Sequence, residues 1–202
     1  LFTLEDPDLG KLKKENFRLM AFGDGMIAGW RDGGLFRKGQ QTAFPNLVAN
    51  QMGLADFRSP LFDEANSNGT GYLILNSSAS GPRWQKVEGN PTTVSQDIPV
   101  LTPYNGEEVH NIGIPKINQG SLTGVLSPKS KGWLYGDTQK GYASSMPFFW
   151  RIFPQADPYK VSYYDEITTR FKAKTMDLAL ISFGYDEWTD TVIKSEHTNL
   201  DP

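Results

Sequence analysis

The chain has no cysteine and only two histidines in 202 residues. The first absence excludes disulfides, a thiol nucleophile and cysteine-ligated zinc. The second leaves a Ser-His-Asp triad few ways to form. No apolar run approaches the ~18 residues that a membrane-spanning helix needs. Basic residues are not in excess either: 20 Lys and Arg face 23 Asp and Glu, a net charge of −3. The densest basic cluster, Lys11-Leu12-Lys13-Lys14, fits a solvated arm better than a nucleic-acid footprint. Nucleic acid and a membrane span are therefore not expected.

What is present suits a globular domain. A 38% hydrophobic share with 21% charged residues is ordinary for one, and the length allows a real core. The chain opens at Leu1 without an initiator Met. That reads as a processed or trimmed product, with removal of a signal segment as one way to reach it.

Residues 1–16 are polar and lack apolar periodicity, so a polar N-terminal arm is expected, followed by one domain over 17–202. Phe17 to Phe22 predicts a first strand, closed by the turn Gly23-Asp24-Gly25. Residues 30–41 carry three glycines and read as a loop. Phe44, Leu47, Val48 and Met52 fall at helical spacing, with Gly53 as the cap. Leu73-Ile74-Leu75 predicts a short strand and Trp84 to Val87 a weaker one. Residues 88–108 read as a long surface loop. Val109 to Ile114 predicts a core strand stopped by Pro115, and residues 116–145 read as irregular. Phe148 to Phe153 is so aromatic that it must be buried or bound. Tyr163 to Phe171 predicts a helix, and Asp177 to Phe183 is the clearest buried strand, ending at Gly184.

Strands separated by helices or loops, each closed by a glycine turn, predict an α/β fold with a mainly parallel sheet. Ligands in such sheets sit outside the carboxyl ends of the strands. Gly23-Asp24-Gly25, Gly113 and Gly184-Tyr185-Asp186-Glu187 each follow a predicted strand, so all three turns should gather on that edge.

In this order the three turns resemble blocks one to three of the SGNH/GDSL hydrolase superfamily, and the wider match is to an exported esterase branch. It includes Phe22 to Trp30, Asp32-Gly33-Gly34-Leu35-Phe36-Arg37, Phe44-Pro45-Asn46-Leu47, Asn68 to Leu73, Asn111 to Pro115 and Phe148 to Phe153. The resemblance covers about residues 17–188. It implies a three-layer, flavodoxin-like sheet domain, here incomplete at the C-terminus, and an extracytoplasmic location. In the family a block-one Ser attacks an ester carbonyl. Its N–H, the block-two Gly N–H and a block-three Asn amide hold the oxyanion, and a later Asp-x-x-His supplies the base.

This chain departs at each point. Gly25 stands where the Ser belongs and offers no oxygen to activate, although its N–H is an oxyanion-hole-like donor. Gly113 matches the block-two Gly, either as a second donor or as a plain strand-ending turn. Asp186 replaces the Asn, and a carboxylate repels a developing oxyanion that an amide would stabilise. It also reads as a solvated turn residue or an N-cap. Glu187 takes the second acidic position. No Asp-x-x-His occurs: His110 and His197 lack that spacing, and the block carrying the base would lie beyond Pro202.

Asp24, Trp30, Tyr185 and Glu187 complete the pocket that the resemblance implies. A cation between Asp24, Asp186 and Glu187 lacks the loop spacing that calcium needs, and no metal or cofactor is expected. Trp30, Phe36, Trp133, Tyr135, Phe148, Phe149 and Trp150 suit a core with a subset lining an acyl or glycan groove. The expected function is a catalytically degenerate SGNH-like module for binding or structure. Its partner would be another chain, or a missing C-terminal segment that completes the sheet. The alternative is an active ester hydrolase whose Ser was replaced or whose His block lies outside this chain.

Overall fold

The computed structural model describes residues 16–78, 81–91, 101–117, 122, 145–154, 161–173, 176–189 and 192. All of the expected arm but Asn16, most of 116–145, Trp133, Tyr135 and His197 lie outside them. Strand β1 (Leu19–Gly23) is buried along its whole length, as a continuous apolar run covered on both faces should be. It leads directly into a single helical turn, α1 (Gly25–Ala28). Two helices follow, α2 (Arg37–Gln41) and α3 (Phe44–Gln51). Strands β2 (Tyr72–Ser78) and β3 (Gly81–Val87) form a hairpin. Helices α4 (Met146–Ile152) and α5 (Tyr163–Ala173) precede the last strand, β4 (Leu178–Ser182).

The strands make two separate sheets. β1 pairs with β4 in parallel, from Leu19 opposite Leu178 to Gly23 opposite Ser182. On the other side of β1 the segment 109–114 runs parallel to it. Ala21 donates to the His110 carbonyl, and Ile112 and Ile114 donate back to Ala21 and Gly23. The core strand expected here is thus reduced to a ladder with one bridge, Ala21 to Asn111. Its cause is local: the rung that Gly23 N–H and the Ile112 carbonyl would form is taken by the Tyr163 hydroxyl, which accepts from the one and donates to the other. The β2–β3 hairpin is antiparallel and stands apart, so only the first sheet is of the expected parallel kind.

Alternate side chains of β1 enter different apolar clusters, as the pleat requires. Leu19 packs with Ala49 and Leu54 against Val48 and Leu180. Met20 and Phe22 join Phe148, Phe149, Phe153, Tyr163 and Ile167 from α4 and α5, so the aromatic segment 148–153 is core. Helix α3 ends as expected, with Gly53 left-handed at φ 68°. Helix α5 begins on a reciprocal capping box: the Asp165 N–H donates to Ser162 Oγ (3.1 Å), while Ser162 N–H and Oγ donate to the Asp165 carboxylate (2.8 and 2.7 Å). Those bonds hold the Asp165 pKa below the ordinary carboxylate value.

Three sequence expectations are corrected. β4 is a strand but not a buried one, with Leu178 38% and Ile181 63% exposed, because among the described residues it pairs on one side only. Residues 30–41 are not all loop, because Gly39 lies inside α2. A Cβ there would come within 2.7 Å of the Gly29 carbonyl, so this glycine serves close helix approach and not a turn. The segment 88–108 is not wholly a surface loop, since Leu101 is fully buried in the main cluster. Buried Arg151 draws the chain inward by donating to the carbonyls of Thr102, Pro60 and Leu61.

Tyr163 joins β1 to its short neighbour. Its hydroxyl accepts from Gly23 N–H (3.0 Å) and donates to the Ile112 carbonyl (2.7 Å). Burial pushes the phenol pKa well above its ordinary value of 10.0. Tyr163→Phe should cost about 1–3 kcal/mol by chemical denaturation, because two buried backbone groups lose their partner. The native phenol binds its proton more tightly than the unfolded one, so wild-type stability should fall as pH rises above 10. The Phe variant should lack that part of the alkaline loss. A variant as stable as wild type, with the same alkaline profile, would show that the hydroxyl bridge contributes nothing.

Candidate functional site

The carboxyl edge of the parallel sheet is built from three turns, after β1, after 109–114 and after β4. Asp24 caps α1: its carboxylate accepts from Met26 N–H (3.1 Å) within the turn and from Tyr185 N–H (2.8 Å) across the sheet. Asp186 returns the connection. Its carboxylate accepts from Gly25 N–H (3.0 Å) and from Lys116 N–H (2.7 Å). The turns after β1 and β4 are therefore laced by two carboxylates, each accepting an amide of the opposite turn.

Asp24 is fully buried and Asp186 is 4% exposed, so Asp186 is no solvated turn residue. Desolvation raises its pKa above the ordinary 3.8, against the opposing pull of the Lys116 and Gly25 N–H groups and of the Lys116 charge. Lys116 holds its N–H on this carboxylate from a left-handed backbone, φ 65°. That conformation is uncommon for a side-chain-bearing residue. Its ammonium lies over the Trp30 ring, 5.1 Å from the centroid, and Trp30 meets Phe148 edge to face at 5.8 Å.

Gly25 is a glycine for reasons of space. A Cβ built on it falls 2.6 and 2.9 Å from the Asp186 oxygens and 3.0 Å from Trp30 Cβ. The region where a nucleophile would project from this turn is filled by a side chain of the same protein.

Gly113 N–H does not face the edge as a free donor; it donates to Asn111 Oδ1 (3.1 Å). Asn111 in turn donates from Nδ2 to the Ile27 carbonyl (2.9 Å). A Cβ on Gly113 would come within 2.4 Å of Ala28 N, so an Asn-x-Gly grip holds α1 against the sheet. The amides of Gly25 and Gly113 are thus both committed to internal acceptors. No donor of the implied oxyanion hole is open.

Of the remaining residues singled out from sequence, Tyr185 and Glu187 are exposed on a helical turn at 185–189. Asp24 and Asp186 come together, but both face backbone amides, the opposite of the oxygen convergence a cation requires. Among the described residues no group of three or more His, Asp or Glu is placed to hold a metal ion. No helix among them is long and apolar enough to cross a membrane.

Asn111, Tyr163 and the Lys116 amide are the participants that the sequence reading did not identify as site residues. One signal was available: Asn111 interrupts an apolar run, where a buried amide must find partners. For the Lys116 amide no sequence signal exists.

Space is distributed unexpectedly. Behind the site, between Asn111, Gly113, Phe148 and Arg151, lies a void of about 10 Å³, which holds one water at most. A cavity of about 610 Å³ opens at the other end of β1, lined by Arg18, Arg58, His110 and Arg170 among others. His110 is occupied structurally there: its Nδ1 accepts from Arg58 N–H (3.1 Å) and its ring stacks on Phe57. It lies away from the turns that carry Gly25 and Asp186. No protein-family model, no curated protein and no solved structure matches this chain.

Proposed function

We propose that this chain is a catalytically degenerate SGNH/GDSL-like domain that acts as a binding or structural module in an extracytoplasmic assembly. The observation that carries the reading is the Asp186 carboxylate seated over Gly25, accepting its N–H at 3.0 Å. In a hydrolase of this kind, the corresponding space holds the nucleophile and the substrate oxygen. Here an internal anion takes the place that a developing oxyanion would need, and like charge disfavours the transition state by at least the ~10²–10³ in rate that a missing donor costs. The binding role draws support from the same edge. Tyr185, Trp188 and Met26 are exposed large side chains beside the closed site, as residues that meet another molecule often are.

The purified chain should not turn over p-nitrophenyl acetate or butyrate and should not be labelled by a fluorophosphonate probe. Gly25→Ser should remain inactive as well, because the new Oγ collides with Asp186 and, among the described residues, no histidine lies beside it to take its proton. General-base help is typically worth ~10²–10⁴. Saturable hydrolysis by Gly25→Ser, or fold-dependent labelling of one serine in the wild type, would replace this proposal with an active ester hydrolase.

A further inference from the structure

The β2–β3 hairpin stands apart from the parallel sheet, and isolated two-stranded sheets are marginal in water. Its surface is nonetheless apolar. Leu75 and Trp84 face each other across the strands at 57% and 69% exposure, and Leu73 lies beside them on the same face. Its two edges differ in kind. β3 carries Pro82, Arg83 and Lys86, the residue types that keep an edge strand unpaired. β2, Tyr-Leu-Ile-Leu-Asn-Ser-Ser, carries no charge and no proline.

The backbone shows which groups of β2 face outward. Leu73 N–H points away from β3, to the Asp32 carbonyl at 2.7 Å. Antiparallel ladders alternate in direction, so the N–H and C=O of Leu75 and Ser77 point to the same outer side. Among the described residues these groups have no partner.

We propose that β2 pairs antiparallel with β2 of a second copy of this chain, centred on Asn76, to give a four-stranded sheet across a two-fold axis. In this register Leu75 lies opposite Ser77 of the other copy, and the outward N–H and C=O groups of both residues are satisfied. The bond from Leu73 to Asp32 is left intact. Self-pairing brings no charge against a like charge, because β2 has none. The axis also places the Leu73, Leu75 and Trp84 faces of both copies side by side as one apolar surface. The β3 edges then form the outer rims, where Pro82, Arg83 and Lys86 stop further addition. One open edge and one blocked edge close the assembly at a dimer.

The absence of cysteine makes a single-cysteine test clean. Asn76 would face its own copy in a non-hydrogen-bonded pair, with Cα atoms about 4.5 Å apart, within disulfide reach. Asn76→Cys should oxidise to a covalent dimer faster than Lys86→Cys on the other strand. Wild type should sediment as a dimer at micromolar concentration. Ser77→Pro removes an outward N–H without touching the hairpin's own ladder, and should weaken the dimer roughly 10- to 100-fold with an unchanged circular dichroism spectrum. If Ser77→Pro does not fold, Leu75→Lys carries the same comparison by placing charge on the edge. A monomeric wild type overturns the proposal, whether or not it binds extended peptides. So does a dimer that cross-links through Lys86→Cys and not Asn76→Cys, or one that folded edge variants leave unweakened.

Discussion

Asp186→Ala should lose about 2 kcal/mol of stability at neutral pH and recover part of it in formate, but not in chloride of equal ionic strength. The loss follows from two amides, Gly25 N–H and Lys116 N–H, left without an acceptor. Each unsatisfied buried donor costs about 1–3 kcal/mol. Relief from burying a carboxylate offsets part of that, since desolvation is the main influence on the pKa of Asp186. The amides should win, because there are two of them and Lys116 is held in an unfavourable backbone region to supply one. Formate fits the volume that the substitution vacates and can restore both bonds by mass action.

The pH dependence has a definite sign. The pKa of Asp186 is raised in the folded state, so the native protein binds its proton more tightly than the unfolded chain does. Wild type therefore loses stability as pH rises through the range just above 3.8. The Ala variant lacks that loss, so the gap between the two should be wider at the acid end of the range than at neutrality. Thermal melts of both proteins in formate and in chloride, across that range, are the measurement. Equal stability of the two proteins, or identical responses to the two salts, would mean that no anion cradle lies under Asp186.

Arg151→Leu should cost more, roughly 3 kcal/mol or above by urea unfolding. The guanidinium is buried between Phe62 and Tyr104, with ring centroids at 4.6 and 5.7 Å. It holds three carbonyls from two chain segments. Burial lowers its pKa to about 10, so it is still charged at neutral pH and its desolvation works against folding. Replacing buried charge by an apolar residue is sometimes neutral for that reason, whereas each buried carbonyl left without a donor costs about 1–3 kcal/mol. Here the partners left behind are the carbonyls of Thr102, Pro60 and Leu61, and leucine satisfies none of them. Arg151→Lys, which keeps the charge but not the planar fork, should fall between the two. A loss under about 1 kcal/mol for the Leu variant would mean that solvent reaches those carbonyls.

Much of the scaffold was legible in the sequence because local pattern and tertiary demand agree there. β1 is a short, buried apolar run closed by a glycine turn; β4 has the same pattern and pairs beside it, but its Ile181 is exposed where burial was expected. α3 carries its apolar residues at helical spacing and ends at Gly53. The turns that carry Gly25, Gly113 and Asp186, each following an expected strand, meet on one edge. The failures share a cause. Gly39 breaks a helix by propensity, yet sits in one because another backbone passes close by. The Tyr163 hydroxyl, inserted between Gly23 and Ile112, keeps 109–114 from becoming a regular strand. Leu101 ends a short apolar run, Ile98 to Leu101, inside a segment otherwise rich in Pro, Thr and Asn, and an arginine fifty residues away holds its neighbour Thr102 inward. The engagement of Asp186 is equally invisible from composition: whether a turn carboxylate meets water or two amides depends on loops that meet only after folding.

The paired carboxylates have a kinetic consequence. Gly25 and Asp186, like Asp24 and Tyr185, are 161 residues apart in the chain, so both bonds wait on the closure of a very long loop. The turn after β1 can form early from its own residues, but its amide stays open until β4 docks beside it. Fraying of the helical turn at 185–189 would reverse that last event alone. The buried edge would then become, briefly, a cleft with unoccupied donors, reached by local opening and not by unfolding of the whole domain.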